Sequence, residues 1–250
     1  GGEPLRVDHL ISIASITKTM TGALILRLAE AGRLSLDDSI GRWLEPRPNI
    51  DPAITIRQLL NHTNGLANYT ANPAFGSAIN ADPGHRFTRD EILGFVGAPL
   101  FAPGTRTQYT NTAFVVLGII AEMAGGQPIE ALYQELWAPL GLTEIYFPGA
   151  VAPSGPVAPA LSPAGLVEPM DHLSLLTGAN TAFGMLATAR AVAVWGRAFF
   201  GGSIFTAATQ AAIRTLVPAA GNIPGESGAG LAIRSYQYLG RTQYGHSGGS

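Results

Sequence analysis

A serine and a lysine three residues apart near the start of the chain have the chemistry of a nucleophile and its base. They are Ser15 and Lys18, at the head of an apolar, helix-forming segment. If a helix begins near Ser15, residues three apart share one face, and the amine can reach the hydroxyl. A serine hydroxyl must give its proton to a positioned partner, and a lysine in an apolar setting can be neutral enough to accept it. The spacing therefore predicts an activated serine.

The choice of basic residues along the chain strengthens this hypothesis. Lys18 is the only lysine among the 15 Lys and Arg residues of the chain. An arginine cannot lose its proton in a protein, whereas a lysine can when its surroundings lower its pKa. Lysine is therefore used at the one position where a base would be useful. The alternative is an ordinary solvated lysine at the start of a helix.

Two further patches carry polar groups next to predicted elements. Tyr109 and Asn111 lie between a Pro-Gly turn and an apolar helix, where a phenol could share a proton and an amide could bind a lysine or a carbonyl. His246, Ser247, Gly248 and Gly249 follow the last predicted strand. Glycines there would let a substrate backbone approach the strand closely. Each patch taken alone is also compatible with a surface aromatic or a glycine-rich strand end.

Taken in this order, the three patches resemble the motifs of the penicillin-recognising serine hydrolases: Ser-x-x-Lys, Tyr-x-Asn and Lys/His-Thr/Ser-Gly. The branch that looks most similar comprises class C β-lactamases, D-alanyl-D-alanine carboxypeptidases and their esterase relatives. Residues 59–66, Leu-Leu-Asn-His-Thr-Asn-Gly-Leu, and 101–105, Phe-Ala-Pro-Gly-Thr, are also similar to segments of that group. The resemblance covers residues 10–145 closely and residues 180–250 loosely.

The resemblance implies a role for each site residue. Ser15 would be the acylated nucleophile, and Lys18 and Tyr109 would share the general-base and general-acid work, with either one as the base. Asn111 would orient Lys18 or the substrate. The third patch, His246, Ser247, Gly248 and Gly249, would position the phenol and the substrate, and the backbone N–H groups of Ser15 and Gly249 would form the oxyanion hole.

The third motif departs from the class C pattern. It begins with His246 instead of lysine, which removes a fixed cation for the carboxylate of a β-lactam. This departure favours esterase or D,D-peptidase activity over efficient β-lactamase activity. In carboxypeptidase members an arginine on the preceding strand can hold the terminal carboxylate of a peptide, and Arg234 lies on the corresponding predicted strand.

The resemblance implies an α+β, β-lactamase/transpeptidase-like fold, with an antiparallel sheet flanked by helices. We expect one catalytic domain over residues 1–250, with a mainly helical lobe at about 35–185. The chain has few residues before Ser15 and after Gly248. We therefore expect an incomplete sheet that lacks N- and C-terminal flanking strands, in a fragment of a longer protein.

Periodicity, capping residues and Gly or Pro stops predict the individual elements. The segments 1–12, 67–84 and 148–169 are expected to be irregular. The predicted helices cover residues 15–31, 39–44, 55–62, 88–96, 112–124, 128–137, 188–200 and 206–216, and the predicted strands cover 231–238 and 241–245.

Composition excludes several classes of function. The net charge of -2 provides no basic field for nucleic acid, and a chain with 0 Cys has no thiolate chemistry. The histidines lack metal-ligand spacing, and His62 is expected to bond backbone at a helix end. We expect no cofactor, no metal, no membrane span, and a small-molecule or peptide substrate. The oligomeric state is open. Export to the periplasm or medium is expected, with a cytoplasmic esterase as the alternative.

Two rival hypotheses remain open at this point. The first is a catalytically weak member that binds peptidoglycan fragments or a partner protein. The second is an α/β-hydrolase that uses Ser247, because residues 245–249 read Gly-His-Ser-Gly-Gly and match the Gly-x-Ser-x-Gly pattern. That fold requires parallel strands alternating with helices before the serine, and the sequence does not predict them. It also requires an Asp or Glu and then a His after the serine, and this sequence has neither after Ser247.

Overall fold

The computed structural model describes residues 4–149, 152–153, 155–162, 165–219 and 225–249. Helices dominate the described chain as far as Ile213. They are α1 (Thr17–Glu30), α2 (Ile56–Leu60), α3 (Pro73–Ala81), α4 (Arg89–Gly94), α5 (Thr112–Gly125), α6 (Ile129–Trp137), α7 (Leu173–Phe183), α8 (Ala189–Gly201) and α9 (Ala207–Ile213).

Short strands form three groups, and every pair of named strands in the described part of the chain is antiparallel. The predicted α+β class is therefore confirmed. The strands are β1 (Ile11–Ser12), β2 (Ile145–Tyr146), β3 (Ala160–Ser162), β4 (Gly165–Val167), β5 (Leu186–Ala187), β6 (Val217–Pro218), β7 (Glu226–Ala229), β8 (Arg234–Tyr238) and β9 (Arg241–Gly245). Their orders are β1-β5-β2, β3-β4 and β6-β7-β8-β9.

Helix α1 lies in the middle of the core. Every residue from Thr17 to Leu26 is buried, which confirms the prediction of a helix covered on most sides. Its glycine allows close packing, because a Cβ at Gly22 would overlap the Cβ of Ala232, two residues before β8. On α5, a Cβ at Gly118 would meet the side chain of Thr181 on α7 at 2.5 Å. The two glycines thus bring β8 and α7 close to the helices that carry the site.

Local capping chemistry explains why several predicted helices start where they do. Thr55 and Gln58 form a capping box at α2, and Thr88 and Glu91 form another at α4. In each box, the threonine hydroxyl accepts the N3 backbone N–H and the N3 side chain accepts the N–H of the threonine. The predicted helix at 39–44 is reduced to a 3₁₀ turn at Ile40–Arg42.

The expectation of an irregular segment at 67–84 is wrong. The segment contains a 3₁₀ turn at Tyr69–Ala71 and helix α3. The Asn72 side chain accepts the N–H of Ala74, and Pro73 occupies the first helical position, where its missing N–H costs nothing. The Asn-Pro pair was therefore a helix start, and Phe75 anchors the helix in the core.

The second half of the chain also differs from expectation. The predicted loop at 148–169 contains the β3-β4 hairpin, although residues 150, 151, 154, 163 and 164 lie outside the described residues. Helix α7 was missed, because its Thr, Gly and Asn residues have low helix propensity and only tertiary burial stabilises them. The strand predicted from Leu231 begins at Arg234, since Ala232 has a φ of 59°. The lead-in contains β1, and strands β2, β5, β6 and β7 were not predicted.

The close packing of Gly22 predicts opposite outcomes for two Gly→Ala substitutions in helices. Gly22→Ala should lower the free energy of unfolding by about 1–3 kcal/mol, because overpacking against Ala232 outweighs the gain in helix propensity. Gly196→Ala in α8 is the control. A Cβ there meets nothing within 4 Å, so this change should stabilise the protein by up to about 1 kcal/mol. Urea unfolding measures both, and equal effects would contradict the packing argument.

Candidate active site

Ser15 lies in a 3₁₀ turn, Ala14–Ile16, that leads directly into α1. Ala14, the residue before it, has a φ of 44°, a conformation that residues other than glycine seldom adopt. The N–H of Ile13 donates to the carbonyl of Met185 at 3.1 Å and ties this turn to the segment before β5. Ser15 is half-buried and lies just before the first residue of α1.

The hydroxyl of Ser15 lies between an amine and a phenol. Its Oγ is 2.6 Å from Tyr109 Oη and 3.2 Å from Lys18 Nζ. Lys18 Nζ also lies 2.7 Å from Asn111 Oδ1 and 2.9 Å from the carbonyl oxygen of Ala182. The structure thus brings together four of the residues that the sequence singled out and adds one backbone carbonyl from α7.

Lys18 is fully buried, which is unusual for a lysine. Burial lowers its pKa well below the ordinary value of 10.5, and the positive charge of Arg234 lowers it further. The amine nitrogen lies 4.8 Å from the ring centroid of Tyr109, 5.5 Å from that of Phe114 and 5.7 Å from that of Phe183. An amine with a low pKa and polar partners is suited to exchange a proton with Ser15.

Tyr109 and Asn111 are held by the loop that precedes α5. The N–H of Asn111 donates to Asn68 Oδ1 at 3.2 Å, and its Nδ2 donates to Thr70 Oγ1 at 3.3 Å. Because the amide nitrogen is engaged in this way, the amide oxygen faces Lys18. Burial raises the pKa of the Tyr109 phenol to about 12, although the hydrogen bond with Ser15 and the charge of Arg234 act in the opposite direction.

His62 packs against the ring of Tyr109, a contact that the sequence did not predict. Its ring is buried, with centroids 4.7 Å from Tyr109 and 5.4 Å from Phe114. It lies just past the end of α2 with a φ of 60°, and its Nδ1 accepts the N–H of Thr110 at 3.4 Å. Burial holds its pKa well below 6.5, so it is neutral. The expected hydrogen bond between His62 and the backbone is therefore present. The only indication in the sequence that His62 belongs to the site was the similarity of residues 59–66 to a segment of the penicillin-recognising hydrolases.

The segment after β9 brings His246 and Gly248 to the site. The His246 ring centroid is 6.0 Å from that of Tyr109, and burial lowers its pKa to about 3. Its Nδ1 is 2.7 Å from the carbonyl oxygen of Ser247, which can only accept, so Nδ1 carries the proton. A Cβ at Gly248 would overlap the carbonyl oxygen of Ile13, so only glycine fits against the turn that holds Ser15.

Ser247 and Gly249, unlike Gly248, do not pack against the turn that holds Ser15 in the contacts described. The Ser247 side chain is exposed, and its Oγ lies 3.4 Å from Tyr236 Oη. Gly249 is exposed, and a Cβ there would meet nothing within 4 Å. The fold around Ser247 also lacks the parallel strands of an α/β-hydrolase in the described part of the chain.

A buried ion pair lies next to Tyr109. The guanidinium carbon of Arg234 is 4.6 Å from the Tyr109 ring centroid. Its Nε is 2.7 Å from Glu226 Oε1, and its Nη2 donates to Glu226 Oε2 at 3.2 Å. Glu226 was not identified from the sequence, because it lies on a strand that was not predicted.

The described residues contain no group of three or more His, Asp or Glu side chains that could hold a metal ion. Among those same residues, no single helix is long and apolar enough to cross a membrane. The bent pair Thr112–Gly125 and Ile129–Leu140 meets that criterion only when the two helices are joined.

Comparison with known proteins identifies an esterase and a penicillin-binding protein as relatives of this chain. Esterase EstB of Burkholderia gladioli is 40% identical over 163 residues, which cover 60% of this chain and 41% of the esterase. Penicillin-binding protein 4* of Bacillus subtilis is 33% identical over 147 residues, covering 56% of this chain and 31% of that protein. The chain thus matches less than half the length of either relative.

The fold is shared with a solved enzyme structure over nearly the whole chain. A D-stereospecific amidohydrolase from Streptomyces sp. superposes with a TM-score of 0.86 at 30% identity, covering 97% of this chain and 76% of the amidohydrolase. The expected β-lactamase-like fold is thereby confirmed. The family model described as Beta-lactamase matches residues 1–250. This match, together with the relatives and the shared fold, shows that the chain belongs to the β-lactamase family.

Proposed function

We propose that this protein is a serine hydrolase that cleaves an ester or amide through a covalent acyl-enzyme at Ser15. The observation that carries the proposal is the position of Ser15 Oγ, 3.2 Å from the Lys18 amine and 2.6 Å from the Tyr109 phenol. Nucleophilic catalysis by serine requires such a hydroxyl next to a proton acceptor. We take residues 1–250 as one catalytic domain, with its mainly helical part at about 35–185.

The hydrogen-bonding capacity of the three groups supports Lys18 as the base. A neutral amine has two N–H donors and one lone pair. The two N–H groups of Lys18 are directed to Asn111 Oδ1 and to the carbonyl oxygen of Ala182, which leaves the lone pair for the hydroxyl proton of Ser15. Because Tyr109 has a pKa of about 12, its phenol stays protonated and donates to Ser15 Oγ. Lys18 is therefore the base of the resting enzyme, and Tyr109 is the acid.

The reaction then follows in two steps. Ser15 Oγ bonds to the carbonyl carbon while its proton passes to Lys18. The bond to the leaving group breaks as that group takes a proton from Tyr109, which regains one from Lys18. In the second step, water gives one proton to Lys18 while its hydroxyl bonds to the acyl carbon. The bond between that carbon and Ser15 Oγ then breaks, Ser15 Oγ takes the proton from Lys18, and the carboxylic acid leaves. The N–H groups of Ser15 and Gly249 are the proposed oxyanion donors.

The substrate class follows from the charges around the serine. The neutral His246 occupies the position where a lysine would offer a fixed cation to the carboxylate of a β-lactam. The names of the relatives, an esterase and a D-stereospecific amidohydrolase, describe ester and amide cleavage. We therefore favour small esters, amides or peptides over β-lactams as substrates.

Covalent labelling distinguishes Ser15 from Ser247. After incubation with a fluorophosphonate, mass spectrometry should find one adduct on the wild-type protein and on Ser247→Ala, and none on Ser15→Ala. The exposed Ser247 lacks a base within hydrogen-bonding distance among the described residues, so its removal should leave labelling unchanged. Loss of the adduct only in Ser247→Ala would contradict the proposal, and no adduct on any variant would favour a binding protein.

Because Lys18 is the only lysine, its protonation can be followed without interference. Protein labelled with ¹³C at the lysine ε-carbon should give one lysine resonance that titrates well below pH 10.5, since burial disfavours the ammonium. In Arg234→Gln the midpoint should move upward, because one positive charge has been removed. A wild-type midpoint at 10 or above would contradict the assignment of Lys18 as the base.

The pH dependence of hydrolysis should follow the same group. With p-nitrophenyl acetate, kcat/KM should rise with pH as Lys18 loses its proton through its lowered pKa, and then stay level until the phenol ionises near pH 12. No inflection from His246 is expected between pH 5 and 8, because its pKa is about 3. Lys18→Arg should lower kcat/KM by about 10²–10⁴, since arginine cannot accept the proton. A wild-type-like rate in this variant would contradict the mechanism.

A further inference from the structure

Arg234 places a positive charge next to the group that would protonate the leaving atom. It is the first residue of β8, where it pairs with Ala229 of β7 and Gly245 of β9. Its guanidinium carbon lies 4.6 Å from the centroid of the Tyr109 ring. A free guanidinium at this position would attract a carboxylate on the leaving group, because arginine binds carboxylates through paired hydrogen bonds.

The guanidinium of Arg234 is already paired with a carboxylate. Its Nη2 donates a hydrogen bond to Glu226 Oε2 at 3.2 Å, and its Nε lies 2.7 Å from Oε1 as an ion-pair contact without hydrogen-bond geometry. The side chains are only 7% and 4% exposed. Charges this well buried interact strongly and are costly to separate, because the one left unpaired would remain out of water. The pair therefore presents no net charge to the substrate.

The other basic groups of the site do not replace this cation. The low pKa of Lys18 makes it a neutral amine, and both of its N–H groups are engaged by Asn111 and Ala182. His62 and His246 are neutral, because burial lowers the pKa of each. Among the described residues, buried His246 Nε2 has no hydrogen-bond partner, and with the proton on Nδ1 it can only accept. A carboxylate beside Tyr109 would find neither an unpaired cation nor a donor among these groups.

We propose that Glu226 is a specificity-determining residue that selects neutral leaving groups. By engaging Arg234, Glu226 excludes acyl donors whose leaving group bears a carboxylate, and favours neutral alcohols, phenols or amines. The proposal rests on the proposed function, since it concerns the leaving group of the same acyl transfer.

Two acetate esters that differ only in charge test the proposal. They are 4-acetoxybenzamide and 4-acetoxybenzoate, whose rates are normalised by their alkaline hydrolysis. For the wild-type enzyme, kcat/KM should be about 10-fold or more higher for the benzamide. In Glu226→Gln, which keeps the size of the side chain but frees Arg234, kcat/KM for the benzoate should rise about 10-fold, with the benzamide changing much less. Glu45→Gln, which removes the same charge from an exposed side chain, should keep the wild-type ratio.

Several results would overturn the proposal. They are equal wild-type rates for the two esters, a preference for the benzoate, or a Glu226→Gln variant that changes both rates alike. If this variant does not fold, the ratio of the two wild-type kcat/KM values is still a test, because equal values or a preference for the benzoate would contradict the proposal. Binding of benzoate and benzamide to the wild-type protein, followed through the Lys18 ¹³C resonance, needs no turnover, and tighter binding of benzoate would contradict the proposal.

The failure of the proposed function has a different signature. In that case the wild-type protein hydrolyses neither ester and Ser15 gives no fluorophosphonate adduct. A protein that labels at Ser15 and cleaves both esters, but with no preference that depends on Glu226, would retain the proposed function and lose only the specificity assignment.

Discussion

The burial of one amine determines how the site is assembled. Lys18 Nζ is removed from water and must find hydrogen-bond partners inside the protein, because an unsatisfied buried amine is costly. Its partners come from three segments: Ser15 at the start of α1, Asn111 before α5, and Ala182 in α7. These contacts fix the three segments relative to one another. The same burial lowers the pKa of the amine, so one constraint sets both the geometry of the site and the protonation of the proposed base.

The backbone near the end of α7 contributes to this arrangement. Asn180 has a φ of 45° and a ψ of -142° inside the helix, a conformation that costs free energy. Its Oδ1 accepts hydrogen bonds from Arg89 Nε at 2.9 Å and from the N–H of Thr181 at 3.0 Å, which hold the irregular turn. The carbonyl of Ala182 follows in the last turn of the helix, where carbonyls lack partners within the helix, and it accepts from Lys18 instead.

Neutrality is the second property of the site. Lys18, His62 and His246 have lowered pKa values because they are buried, and the charge of Arg234 is balanced by Glu226. Electrostatic interactions are stronger in such a poorly solvated site, so a single unpaired charge would affect both the protonation of Lys18 and the choice of substrate. The pairing of Arg234 with Glu226 would therefore link the protonation of the proposed base to the proposed selection of the leaving group.

Much of the site follows from local sequence. The spacing of Ser15 and Lys18 brings their side chains together within one helical turn, and the capping boxes at Thr55 and Thr88 define helix starts through contacts three residues apart. The order of the motifs also indicated Tyr109 and the final glycines. These features depend on short-range geometry, which residue types and spacing are enough to specify.

Other features were decided only by the tertiary structure. Two-residue strands such as β1 and β5 have no period to detect, and α7 forms because its residues are buried rather than because they favour a helix. The support of Tyr109 by His62 and the pairing of Arg234 with Glu226 likewise left no pattern in the sequence. Residue types and spacing alone thus predicted that Ser15 and Lys18 lie side by side, because they are one helical turn apart, and left open whether Lys18 or Tyr109 is the base. The partners that set their protonation and selectivity come from separate elements, and only the path of the folded chain brings those elements together.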